Sequence, residues 1–235
     1  MSAEAIQTNV REVWERIAVA AAKAGRRRED VTLIGVSKTH PAEAIRQAFG
    51  AGVRHFGENR VQEWEGKRVG VEDLQARWHL VGHLQSNKAA RAAKTFHSVD
   101  SVDDFALAQR LDRARTEAEG PGKLRVLIEV RVAAEQTKSG VENEQLPDLA
   151  EKICGLTRLE LAGLMCIPPF LDDAEKVRPY FARLRGSKEQ LESRLRRKLP
   201  VLSMGMSHDF EVAIEEGATE VRVGTALFGA RETKD

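Results

Sequence analysis

Apolar residues in the first 25 positions recur at helical spacing. In AIQTNVREVWERIAVAAAKAG, residues Ile6, Val10, Val13, Trp14, Ile17 and Ala21 share one face, and Gly25 ends the pattern. The segment predicts an amphipathic helix packed against the rest of the chain. The period then changes. VTLIGVSK is a short β-branched run of the kind that forms a buried parallel strand, and Pro41 opens the helix AEAIRQAFGAG. Strand, turn and helix repeat from there. VRHFGE precedes a helix beginning near Asn59, RWHLVG precedes SNKAARAAK, and TFHSVD precedes VDDFALAQRLDRARTEA. KLRVLIEV and LELAGLMCI read as strands five and six, the latter stopped by Pro168 and Pro169. A long helix over residues 174–197, a short strand at PVLSMG, a helix over 209–216 and a last strand at TEVRVG complete the series.

Eight strand candidates alternating with helices fit a single (β/α)8 barrel, with an extra N-terminal helix, better than an open doubly wound sheet. No linker or composition break divides residues 1–235, so one domain is expected. The polar stretch AAEQTKSGVENEQ predicts a long exposed loop after strand five.

The 37 basic and 36 acidic residues leave a formal net charge of +1, which gives no overall field toward nucleic acid or an anionic membrane. The two cysteines, Cys154 and Cys166, form neither a disulfide framework nor a metal-site spacing, and both are expected as reduced core thiols. No apolar run reaches the roughly 20 residues of a spanning helix and no signal segment opens the chain, so a cytoplasmic protein is expected.

Chemistry in such barrels lies at the C-terminal ends of the strands. Lys38 ends strand one on the same alternating face as Ile34 and Val36, which places an amine at the mouth. Desolvation there favours the neutral amine that attacks an aldehyde; a solvated strand cap is the plain alternative. After strand seven, SMGMSHD offers Gly205 and Ser207, and after strand eight, VGT offers Gly224 and Thr225. Ser207 could cap the following helix, but loops seven and eight are where these barrels commonly hold a phosphate. Arg222, between Val221 and Val223, points inward, where it must contact a ligand or pair with Glu220 on the same face. Asn59 lies just beyond strand two. His79 and His83 bracket the end of strand three, but Gly82 and the strand pattern argue against one helix presenting both to a metal.

With these residues in place, the sequence resembles the YggS/PROSC family, the pyridoxal phosphate homeostasis proteins. GVSKTHP, HFGENRVQE, WHLVGHLQSNK, TKSG, AGLMCIPP, SMGMSHDFEVAI and EVRVGTALFG carry the resemblance in order along the chain. It implies a barrel similar to the alanine racemase N-terminal domain, binding pyridoxal 5′-phosphate as a covalent aldimine at Lys38. By the same resemblance Ser207, Gly224 and Thr225 would bind the phosphate, Arg222 would face the pyridine nitrogen and Asn59 would lie near the ring. Ser203 is placed at the cofactor, with His83 and Met165 lining the pocket. The family often has an aromatic residue after GEN, where this chain has Arg60.

The inventory argues for a carrier over an enzyme. Arginine only donates, so Arg222 would leave the pyridine nitrogen unprotonated and weaken the ring as an electron sink. Racemisation needs a base on each face of the substrate carbon, and Lys38 is one. The similar racemase takes its second base, a tyrosine, from a further domain; this chain's single tyrosine, Tyr180, falls in a helical pattern far from the mouth. The expectation is a non-catalytic protein that buffers pyridoxal phosphate and hands it to apoenzymes, as a monomer. A small racemase using Cys166 or His83 as second base is the alternative, and an aldolase or isomerase using Lys38 on a sugar phosphate a third. Lys138 of TKSG is read as a surface lysine, with a transient role in cofactor transfer as the functional option.

Overall fold

The computed structural model describes residues 2–118, 122–133 and 139–229. Among these, eight parallel strands close into a barrel in chain order: β1 (Thr32–Val36), β2 (His55–Glu58), β3 (Arg77–Leu80), β4 (Ser98–Val102), β5 (Leu124–Glu129), β6 (Leu159–Met165), β7 (Val201–Ser203) and β8 (Glu220–Val223). β8 pairs back to β1, with Ile34 opposite Arg222. The helices are α1 (Ala3–Lys23), α2 (Ala42–Gly50), α3 (Val61–Arg68), α4 (Ala89–Thr95), α5 (Phe105–Glu117), α6 (Leu146–Cys154), α7 (Arg178–Leu195), α8 (Phe210–Glu215) and the single turn α9 (Thr225–Phe228).

Strand alternation sorts the side chains. Leu33, Phe56, Trp78, Val99, Val126, Leu202 and Val221 point outward into one apolar layer under the helices. Inside the barrel the apolar residues are fewer: a small cluster of Leu127, Ala162 and Met165, with Ile34 and Val36 of β1 and Val81 just beyond β3. The other inward positions are largely polar: His55, His79, Asp100, Arg125, Glu129, Ser203, Glu220 and Arg222. A barrel interior is ordinarily filled by branched apolar residues, so this polarity marks the inside as a place of chemistry as well as packing.

α1 buries Ile6, Val10, Val13, Ile17, Ala20 and Ala21 against α2, α8 and α9, outside the seam where β1 meets β8. The expected helix over 174–197 begins as a 3-10 turn at Ala174–Val177 before α7, and half-buried Tyr180 packs on the outer layer. Strand one is shorter than predicted: it ends at Val36, and Lys38 lies two residues on, in a turn. The loop after β5 is not wholly exposed. Val141 is buried, its N–H donates to the Glu129 carbonyl (2.8 Å) and its carbonyl accepts from Arg131 (2.9 Å), a bridge that pulls the returning chain against the barrel end. Lys138 falls outside the described residues. Cys166 is buried as expected, whereas Cys154 at the end of α6 is exposed; both are free thiols. No helix among the described residues is long and apolar enough to cross a membrane.

Candidate functional site

The half-buried Lys38 occupies a turn held on both sides. Ser37 is buried and its amide bonds the Gly57 carbonyl at 3.0 Å, so the turn continues the β1–β2 pairing. Thr39 has φ +68°, a left-handed conformation that costs a β-branched residue about 1–3 kcal/mol. Glu63 of α3 accepts the Thr39 amide, and Glu58 at the end of β2 accepts the Ser37 hydroxyl at 2.7 Å. On one side of this turn lies Asn59. A Cβ on Gly82 would stand 2.5 Å from the Asn59 carbonyl oxygen, so glycine at 82 lets the β2 and β3 loops close on each other and holds Asn59 at the mouth.

On the other side lie the loops after β7 and β8. The Ser207 hydroxyl accepts the amides of Gly224 and Ala226, both at 3.2 Å, which joins the two loops directly. This answers the capping alternative: α8 receives no side-chain cap, and Asp209 turns back to accept the Met206 amide at 2.6 Å. Gly205, at φ +92°, is needed because α8 crowds it, a Cβ there meeting Ala213 Cβ at 2.6 Å. Gly224 abuts the end of β1, its missing Cβ 3.4 Å from the Val36 carbonyl oxygen. Exposed Thr225 opens α9. The Ser207 and Thr225 hydroxyls and the amides of Gly224 and Ala226 thus gather beside the Lys38 turn, the groups from which a phosphate cradle is built, with Ser207 Oγ standing where an anion's oxygen would accept those amides.

Arg222 is 4% exposed and held at two points: Nη1 donates to Ser203 Oγ at 2.8 Å and Nη2 to the Cys166 carbonyl at 2.7 Å. The alternative pairing with Glu220 does not form; Glu220 accepts from Arg125 Nη2 at 2.7 Å instead. Ser203 therefore touches Arg222, and with two of five guanidinium donors engaged the head is fixed with donors to spare. Met165 is fully buried in the interior cluster. His83 is exposed, 3.5 Å from Asp103, on an open cleft of ≈ 610 Å³ that it shares with Asn59 and Arg60. The sequence reading missed Glu129, which ends β5 inside the mouth at 4% exposure and accepts the Ser139 hydroxyl at 2.8 Å. Burial raises its carboxyl above the usual range, with Arg222 nearby acting the other way. Its inward position is legible in the alternation Arg125, Leu127, Glu129.

Below the mouth lies a second polar group. His55 Nδ1 meets His79 Nε2 at 2.9 Å, His79 Nδ1 lies 3.1 Å from Asp100 Oδ2, and Ser98 donates to Asp100. Candidate ligand atoms of His79, Asp100 and Glu220 lie within 4.8 Å of one another, the residue types of a metal centre. Arg125 Nη2 already supplies a cation to Glu220 Oε1, while Glu220 Oε2 and Arg125 Nε are buried with no hydrogen-bond partner among the described residues. His79 and His83, weighed together in the sequence, part company: one points into the barrel, the other to solvent.

This layer gives a pH prediction. Burial, then His79, Arg77 and Arg125, lower the His55 imidazole from 6.5 to about 4. Between these values the unfolded chain carries the proton and the folded chain does not, so stability is lost as pH falls. The wild type should lose about 2 kcal/mol more than His55→Asn over this window, allowing for the partial exposure of the ring. Urea denaturation at both ends of the range checks this; equal losses would count against it.

Residues 3–232 match the family model of the alanine racemase N-terminal domain, which sets the class as a barrel of the alanine racemase type. An alanine racemase of Clostridium difficile shares the fold at a TM-score of 0.75 and 16% identity, over 97% of this chain and 61% of the racemase. The pyridoxal phosphate homeostasis protein of Pseudomonas aeruginosa is 47% identical over 97% of this chain and 96% of its own length. That of Aquifex aeolicus is 46% identical over 94% and 96%. PipY of Synechococcus elongatus, solved with pyridoxal phosphate bound, is 41% identical at a TM-score of 0.81, covering 91% of this chain and all of PipY. The chain belongs to the pyridoxal phosphate homeostasis protein family.

Proposed function

We propose that this chain binds pyridoxal 5′-phosphate covalently at Lys38 and buffers it for delivery to cytoplasmic apoenzymes, without turnover of its own and as a monomer. The observation that carries the reading is the meeting of the β7 and β8 loops on Ser207, beside the turn that bears Lys38. When bound, the cofactor supplies an aldehyde to which an amine adds. Lys38 provides that amine. Ser207, Thr225 and the Gly224 amide hold the phosphate, Arg222 donates toward the ring nitrogen and Asn59 borders the ring. Ser203 keeps Arg222 in place.

The surroundings speak against a second base. Cys166 lies in the outer apolar layer, and burial pushes its thiol up to about 12, far from the working range of a base at neutral pH. His83 stands in solvent at the rim. A purified sample should carry a near-visible absorption band that Lys38→Ala abolishes, and should restore activity to a pyridoxal phosphate-dependent apoenzyme. Absence of the band in the wild type would overturn the reading and leave the sugar-phosphate alternative. Deuterium exchange at an amino acid α-carbon, lost in Lys38→Ala, would favour the racemase.

A further inference from the structure

Lys67 of α3 is a largely enclosed cation with no place in the site described above. Its side chain is 12% exposed, and its ammonium donates to the Ser37 carbonyl at 2.8 Å, to Glu63 Oε1 at 2.8 Å and to Glu58 Oε1 at 3.0 Å. Those three bonds use every proton it has. Two of the partners hold the residues flanking Lys38. Glu58, wholly buried, accepts the Ser37 hydroxyl, and Glu63 accepts the Thr39 amide. The carbonyl that Lys67 binds is that of Ser37, one end of the peptide leading into Lys38. A buried ion pair adds little stability over apolar residues of the same volume, so its value here lies in geometry. That geometry is needed at Thr39, which stays at φ +68° only while its surroundings hold it there.

We infer that Lys67, Glu58 and Glu63 form a clamp on the Lys38 turn, acting as positioning residues that aim the Lys38 amine into the mouth. The clamp grips residues 37 and 39 from outside the barrel, where α3 docks on the end of β2. It rests on the reading that Lys38 takes an aldehyde. In that step the amine adds to the carbonyl carbon, a water leaves, and the carbon–nitrogen double bond formed can be reduced by cyanoborohydride.

The test follows trapping of pyridoxal phosphate with cyanoborohydride, mapped by peptide mass spectrometry and expressed as labelling of Lys38 relative to exposed Lys23. Hydrogen exchange of the peptide spanning residues 37–40 is measured on the same ligand-free proteins. In Lys67→Met and in Glu63→Leu, Lys38 labelling should slow by about tenfold or more, the order expected when a reacting group is misaimed. Exchange at residues 37–40 should rise in both. Glu63→Gln, which keeps an acceptor for the Thr39 amide, should recover most of the wild-type rate. Folded variants that label Lys38 and exchange at wild-type rates would overturn the clamp. Should Lys67→Met not fold, the pair at Glu63 decides. A wild type unlabelled at Lys38 would refute the attachment site alone, and the exchange data would still judge the clamp.

Discussion

Gly163→Ala is expected to cost at least about 3 kcal/mol of folding stability, the upper range for an added methyl in a packed interior. Gly163 lies in β6 opposite Val201 of β7. A Cβ there would stand 1.9 Å from the Val201 carbonyl oxygen, 2.6 Å from its carbonyl carbon and 2.8 Å from its Cβ. The first two obstacles are backbone atoms of the neighbouring strand, so no rotamer change relieves them and the sheet itself must part. A domain of this kind is stabilised by only about 5–15 kcal/mol in total, so one methyl would remove a large share. The displacement would also carry Ser203, two residues along β7. Urea denaturation measures the loss. A midpoint equal to the wild type would show that β6 and β7 separate cheaply, contrary to the packing seen.

That glycine shows what the sequence could and could not reveal. Each of the eight strands overlaps the segment the sequence assigned to it, because the outward face of every strand must carry apolar residues to pack under the helices, even where the inward face is polar. The errors lie at the ends. VTLIGVSK reads as one run, yet the strand stops at Val36 because Ser37 turns outward to Glu58 and Thr39 adopts a left-handed backbone, neither of which an apolar pattern encodes. α6 is hidden in the sequence because the polar run VENEQ leads straight into it, although Pro147 near its start is an ordinary helix signal. Gly163 was visible as a glycine, but the atom it faces belongs to a strand on the far side of α7 in the chain.

Within the mouth, alternation was the reliable guide. It placed Arg222 inside, and the same parity places Glu129 inside. Partner identity was less legible. Glu220 shares a face with Arg222, yet the closed barrel brings Arg125 across the interior to it, a pairing that depends on curvature and not on spacing along one strand. The clamp is further from view. Glu58 sits on the outward face of β2, where helix packing is expected, and only the docking of α3 delivers Lys67 to it.

Arg222→Met should lower affinity for pyridoxal phosphate about 10- to 100-fold, the worth of one hydrogen bond from a charged donor. Methionine fills much of the space but donates nothing to a ring nitrogen. It also orphans the Ser203 hydroxyl and the Cys166 carbonyl, both on fully buried residues, at a cost of about 1–3 kcal/mol for each acceptor left unsatisfied. Arg222→Lys should fare little better, because a single ammonium cannot reach both acceptors with the fork geometry of guanidinium. Glu129 and Asp209 report the same change independently. Burial raises both carboxyls and the Arg222 charge opposes that rise, so without it both should titrate higher still. Since a raised carboxyl is most stable in its protonated form, the variant should gain stability relative to the wild type as pH falls toward the carboxylate range. Calorimetric titration with pyridoxal phosphate and urea midpoints across pH measure both effects. Wild-type affinity in Arg222→Met would show that the guanidinium braces the end of β7 and makes no contribution to holding the ring.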